Sequence, residues 1–303
     1  MHPAPSIIVF TVLSGLGLGL MAWIGLGFGP ATGAFPWVAC ILALGITGFG
    51  GVASAGHLAR PDRAWRAFSQ WRSSWLSREA CLMIATIGLF AIYAALWLLW
   101  GTRIWLLGAV MAALAVATVY ATAMIYAQLK TVPRWSSAPT PTMFLGVGLG
   151  GGYLTLQAVL AISGVGGSVL GMVAALAVTM LSIAHWRQKA RGLNRDADGS
   201  TLETATGLGD IGKVRLLEPP HTGTNYLLKE MAYQVGRNRS EQLVRAGWVL
   251  GGALPLLLAG LALLIGGWVL PLALLCHIAG MMAFRWLFFA EAEHVQALYY
   301  GRG

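Results

Sequence analysis

Charge is scarce in this sequence. Asp, Glu, Lys and Arg together make up 10% of the 303 residues, where a soluble domain carries about 25%. With 57% hydrophobic residues and a mean hydropathy of +0.70, that deficit excludes an ordinary water-soluble fold and places the chain in a bilayer. Cysteine is scarcer still. Cys40, Cys81 and Cys276 each fall in an apolar run and form no CxxC pair. Thiolate zinc sites and iron–sulfur clusters need convergent cysteines, so these three read as small hydrophobes and no metal is expected in this chain. Ionisable residues are missing from the span centres as well. No Asp, Glu or Lys occupies one, which argues against a proton relay across the membrane. His277 lies near the middle of the last span and Arg285 towards its end. His2, His221 and His294 fall outside the apolar runs, while His57 and His185 lie at their edges. No facing histidine pair remains for a b-type haem, and His277 reads as a hydrogen-bonded packing residue. The N-terminus lacks a basic leader region and a small-residue cleavage site, so it reads as a retained first span.

What is present is a series of long apolar runs. Windows of roughly 20 residues, the length that crosses a hydrocarbon core, give eight expected spans at about 7–29, 36–56, 79–100, 104–127, 142–164, 167–186, 245–266 and 269–290. The fold expected is all-α, a single eight-helix membrane domain over 1–303. The connections alternate. GPATGAFP, GTR, GVGG and GGWV are short and nearly uncharged, whereas those after spans two, four and six are longer and polar. The largest, 187–244, reads as a docking loop between helices 6 and 7 for a soluble partner, with a short helix near 225–237. Of the 20 Lys and Arg, only Arg103 lies on the short-loop side. By the positive-inside rule the polar loops and both termini are expected in the cytoplasm, as N-in/C-in. The net charge of +9 then reflects topology, and no nucleic-acid partner is needed to explain it. Glycines four apart, at Gly15/Gly19, Gly25/Gly29, Gly146/Gly150 and Gly148/Gly152, suit close helix crossings.

One polar loop is conspicuous: HLARPDRAWRAFSQWRSSWLSREA, residues 57–80, with five arginines and three tryptophans. Its middle, Arg63 to Trp75, reads as an interfacial anchor, with indoles at headgroup depth and arginines towards anionic lipid. Ser77 marks the expected cap of span three. His57 and Glu79 bracket the loop at the ends of adjacent spans, where folding back would bring them close. A quinone site needs an apolar slot, polar partners for the ring oxygens and a group that exchanges protons, and a histidine and a carboxylate near water supply the last. Arg60, Arg63 and Arg78 are the neighbouring cations expected around such a pocket. A different class, a small-solute transporter, would require a polar midplane site around His277 and discontinuous helices.

Five segments carry a family resemblance over the whole length and in matching order. They are HPAPSIIVFTVLSGLGLGL, HLARPDRAWRAFSQWRSSWLSRE, ATVYATAMIYAQLKTVPRW, PHTGTNYLLKEMAYQV and RWLFFAEAEHVQALYYG. Together they resemble the dimethyl sulfoxide reductase anchor subunit family (DmsC type), which includes anchors of cytoplasm-facing sulfite dehydrogenases. The resemblance implies an eight-span, haem-free, quinone-reactive subunit of the bacterial inner membrane. It further implies a molybdenum catalytic partner and an iron–sulfur partner with four clusters. The family's HL.RP histidine falls on His57 and the glutamate of its SRE segment on Glu79, both implicated in quinol handling. Ubiquinone and menaquinone both remain open. The polar-loop charge favours sulfite oxidation coupled to quinone reduction; the alternative is a dimethyl sulfoxide reductase anchor oxidising menaquinol.

Overall fold

The computed structural model describes residues 4–55, 61–190, 201–215, 217–218 and 239–295. Eight of the described helices are long and apolar enough to cross a membrane. They are α1 (Pro5–Gly25), α2 (Phe35–Ala55), α3 (Trp75–Trp100), α4 (Trp105–Ala127), α5 (Pro139–Ile162), α6 (Val169–Ala190), α8 (Ser240–Ile265) and α9 (Leu270–Ala290). A short helix, α7 (Leu202–Thr206), lies in the largest polar loop and opens with a capping box between Thr201 and Thr204. No strand occurs among the described residues.

Local chemistry sets the helix ends. Pro5 and Pro139 open α1 and α5 at the first position, where a missing N–H costs nothing. Helix α3 opens four residues before the expected 79. Its cap is Ser74, whose side chain accepts the Ser77 N–H at 3.4 Å, and it ends on Gly101 in the left-handed region. Ser77 is therefore inside the helix and Glu79 lies a full turn from its start. In α8, residues Val249–Ala253 form a single π-turn, and His277 Nδ1 donates to the Gly251 carbonyl at 2.6 Å. The buried histidine is thus bound to an irregular turn of the neighbouring helix, as its packing role requires. The short helix expected near 225–237 lies outside the described residues.

The bundle is built around α1, which packs on α2, α4, α5 and α9. Its crossing with α5 is backbone to backbone. A Cβ added at Gly152 would collide with the Gly19 carbonyl carbon, and one at Gly19 would collide with the Gly148 oxygen. The expected pairs at 15/19 and 148/152 therefore lie at this interface. Gly25/Gly29 is not such a pair, because α1 ends at Gly25 and Gly29 sits in the following loop at φ +89°. Gly152→Ala is expected to force the two backbones apart and lower stability by about 1–3 kcal/mol, the cost of overpacking a close contact. Reversible unfolding in mixed micelles measures it; unchanged stability would mean that this crossing is looser than the geometry implies.

Arg103, the lone basic residue of the short loops, has a structural task. It donates from Nη1 to Gly29 O at 3.0 Å, from Nη2 to Ile24 O at 3.2 Å and from Nε to the Tyr93 hydroxyl at 3.3 Å, and it stacks on Trp97 at 4.4 Å. These carbonyls lie at and beyond the C-terminus of α1, where orphan acceptors and the negative end of the helix dipole favour a cation. At the opposite end of the bundle, Glu291 receives Arg134 Nη1 at 2.9 Å and Arg187 Nη1 at 3.4 Å, tying the α4–α5 loop and α6 to the end of α9.

Candidate functional site

Glu79 is 4% exposed, inside α3 on the face towards α4. The Thr122 hydroxyl donates to its Oε1 at 2.5 Å and also reaches the Thr118 carbonyl at 3.1 Å. One turn further in, the Thr118 and Thr86 hydroxyls meet at 3.1 Å. Hydroxyls thus continue from the carboxyl into the bundle along the α3–α4 contact. No described cation lies within ion-pair distance of Glu79. One hydrogen bond to a charged group is worth about 1.5–3 kcal/mol, whereas burying an ion costs several kcal/mol. Glu79 is therefore a poor choice for stability, and a buried intramembrane carboxyl of this kind is a functional group by default.

Arg285 of α9 is the second buried charge, 5% exposed. Its guanidinium lies over the Phe144 ring at 3.9 Å and near Phe288 at 5.4 Å, and Nη1 has no hydrogen-bond partner among the described residues. Around it, Tyr126 stacks on Phe144 at 5.6 Å and meets Trp135, Phe288 and Phe289 edge-on. Trp135 Nε1 donates to Phe288 O at 2.9 Å. Tyr126 and Arg285 both lie against Phe144 and Phe288 and so share one aromatic core. Tyr126 and Trp135 come from the segment ATVYATAMIYAQLKTVPRW, Phe288 and Phe289 from RWLFFAEAEH.

The residues expected at the site separate into groups. Glu79 is buried as described. Arg78 donates from Nε to Trp71 O at 3.0 Å and from Nη2 to Arg72 O at 2.7 Å, and stacks on Trp75 at 4.4 Å. It holds its own loop together and does not reach the carboxyl. Arg63 is exposed on the 3-10 helix Pro61–Phe68, 3.9 Å from Asp62. Trp65 and Trp71 are exposed with Arg66 and Arg72 stacked on them, each at 5.5 Å, which suits an interfacial anchor. His57 and Arg60 lie outside the described residues. Sequence reasoning missed Thr122 and Tyr126 and left Arg285 out of the site. The available signal was Arg285 itself, a charge inside a span.

A lipid-facing groove of about 610 Å³ is lined by α1, α4 and α5 through Trp23, Ala112, Val116, Tyr120 and Leu149 among others; Glu79 and Thr122 are not in its lining, and Thr122 lies on the other face of α4. It is almost wholly apolar. At one end Tyr120 meets Trp75 edge-on at 5.9 Å, and Trp75 lies one turn before Glu79. The groove thus has the character of a slot for a hydrocarbon tail, and the Thr122–Glu79 pair the donor and acceptor capacity that a ring oxygen requires. No cluster of three His, Cys, Asp or Glu able to hold a metal occurs among the described residues.

Residues 1–206 match the family described as DMSO reductase anchor subunit (DmsC). The chain is also similar to a sulfite dehydrogenase subunit of Allochromatium vinosum, with 34% identity over 328 aligned positions covering 99% of each chain. With eight apolar helices of spanning length and a family match over more than half its residues, the chain is a multi-pass membrane protein that belongs to the DMSO reductase anchor subunit family.

Proposed function

We propose that this chain is the quinone-reactive anchor of a three-subunit molybdenum/iron–sulfur oxidoreductase that oxidises sulfite and reduces quinone. The observation that carries the reading is Glu79: a buried carboxyl whose one partner among the described residues is the Thr122 hydroxyl, one turn inside a membrane helix whose Trp75 reaches, through Tyr120, an apolar groove on the outer face of α4. A quinone supplies the two-electron acceptor, and the electrons come from the iron–sulfur partner docked on the polar loops. This chain's residues do the rest. The groove takes the apolar tail and excludes water, Thr122 orients the carboxyl, and Glu79 gives its proton to a ring oxygen. His57, at the other end of the same loop, is the group through which Glu79 regains a proton from the cytoplasm.

Sulfite is favoured by charge and by the similar protein's name. The polar loops are the surface large enough to hold soluble partners, and nineteen of the 20 basic residues lie in them, near the span ends on their side or towards the C-terminus. The positive-inside rule puts them in the cytoplasm of a bacterial inner membrane. The family's description favours a second reading, a dimethyl sulfoxide reductase anchor that oxidises menaquinol, in which Glu79 accepts the proton. A transporter is disfavoured because His277, its expected centre, is bound to the Gly251 carbonyl.

The purified heterotrimer, given sulfite and a short-chain quinone, is expected to show sulfite-dependent quinone reduction that a quinone-headgroup inhibitor stops. Dimethyl sulfoxide reduction with reduced menaquinone, and none with sulfite, would establish the second reading. Neither activity in a heterotrimer still active with artificial electron carriers would place the quinone site outside this chain.

A further inference from the structure

A small chamber lies between α1, α4, α5 and α9, with Thr11, Ser14, Thr122 and Arg285 as its polar lining and Gly15 and Phe144 among its walls. Its free space is about 10 Å³, roughly the volume that a single water centre requires. Arg285 Nη1 is buried on its wall and unpartnered among the described residues. A guanidinium only donates, so it needs an acceptor there. Stacking on Phe144 contributes about 0.5–2 kcal/mol, less than the several kcal/mol that an unpaired buried ion costs.

Donor and acceptor counting identifies what fills the chamber. Each lining hydroxyl has already committed its hydrogen: Thr11 to Ile7 O at 2.8 Å, Ser14 to Phe10 O at 2.6 Å and Thr122 to Glu79. Their remaining capacity is to accept. No direct bond between two of the lining groups satisfies both sides, because Arg285 Nη1 has no hydrogen-bond partner among the described residues. One water would complete the set, accepting from Arg285 Nη1 and donating to two of the three hydroxyl oxygens, the three hydrogen bonds usual for a buried water.

We infer that Arg285 holds a single water in this chamber and, through it and Thr122, positions the Glu79 carboxyl and supplies the counter-charge when that carboxyl is ionised. A water donating to Thr122 occupies the threonine's accepting side and leaves its hydrogen to Glu79 Oε1 at 2.5 Å, the nearer of its two acceptors, with the Thr118 carbonyl at 3.1 Å. The guanidinium, with no other counter-ion among the described residues, is the positive charge available to a carboxylate that has just lost its proton. Arg285 is thus a positioning residue. Its role in turnover rests on the quinone reading, whereas its link to Glu79 does not.

Infrared difference spectra of the assembled complex in lipid, triggered by a pH change, test both levels. The Glu79 carboxyl band is the one absent from Glu79→Gln. It is expected to shift in Arg285→Met and also in Gly15→Ala, whose added methyl meets nothing nearer than Gly148 Cα at 3.9 Å and displaces the water while leaving Arg285 in place. An internal-water band sensitive to H2(18)O is expected to vanish in both. With quinone, both variants should lose about tenfold in kcat, the scale of an outer-shell partner, with KM nearly unchanged. A carboxyl band unmoved in both variants overturns the inference, as does a band that moves in Arg285→Met but not in Gly15→Ala. If Arg285→Met fails to fold, Gly15→Ala decides. If the bands shift while Glu79→Gln leaves quinone turnover intact, the quinone reading fails and the water link stands.

Discussion

Glu79→Gln is expected to lower quinone turnover by about a hundredfold or more, the range set by losing a positioned proton-transfer group. Oxidation of sulfite with an artificial acceptor that draws electrons directly from the partner's clusters should be unchanged. Gln keeps the shape of Glu and retains a carbonyl oxygen for the Thr122 hydroxyl, so the α3–α4 contact and the fold are preserved. What is lost is the exchangeable proton. Binding of the ring depends on shape and on the groove, so KM should stay within about threefold while kcat falls, the signature of an interaction realised in the reaction step. Turnover within about threefold of the unaltered complex would remove Glu79 from the proton path.

Thr122→Val should produce the second largest effect. Valine has the same shape and no hydroxyl, so Glu79 is left without its only described partner. Losing a hydrogen bond to a charged group costs about 1.5–3 kcal/mol, which reversible unfolding detects. Turnover should fall about tenfold, because the carboxyl is no longer held in one orientation. The two substitutions act on one bond and are therefore not independent. The double variant Glu79→Gln/Thr122→Val is expected to be no slower than Glu79→Gln alone. Losses that multiply would show that Thr122 serves turnover by a route that bypasses Glu79.

The spans were legible because a bilayer leaves a chain few options. Backbone groups in hydrocarbon must be satisfied within the segment, so long apolar runs become helices, and all eight fell within a few residues of their expected positions. Glu79 was legible for the related reason that a carboxyl beside such a run is conspicuous. The errors of emphasis came from the same source. Arg63 and Arg78 drew notice by charge, yet Arg78 closes its own loop through the Trp71 and Arg72 carbonyls. The cap of α3 was misplaced by one turn because Ser74 and Ser77 are equally good capping residues in sequence; Ser74 carries the non-helical backbone that a cap needs.

Helix faces were not legible. In a soluble helix, the apolar stripe marks the side that is buried. Here lipid is as apolar as the core, and the pattern carries no such period: Leu16 is fully buried while Leu99 is 66% exposed. Glu79 and Thr122 are 43 positions apart, and Arg285 reaches their neighbourhood only because α9 packs against α1 and α5. By itself, the sequence determined the number of crossings, the side that carries the basic residues and the one carboxyl worth following. Only the tertiary structure decided that this carboxyl is bonded to Thr122 and shares its surroundings with Arg285. Such pairings arise from helix register and crossing, which glycine contacts such as Gly19 on Gly152 set at the level of the backbone, out of reach of hydropathy.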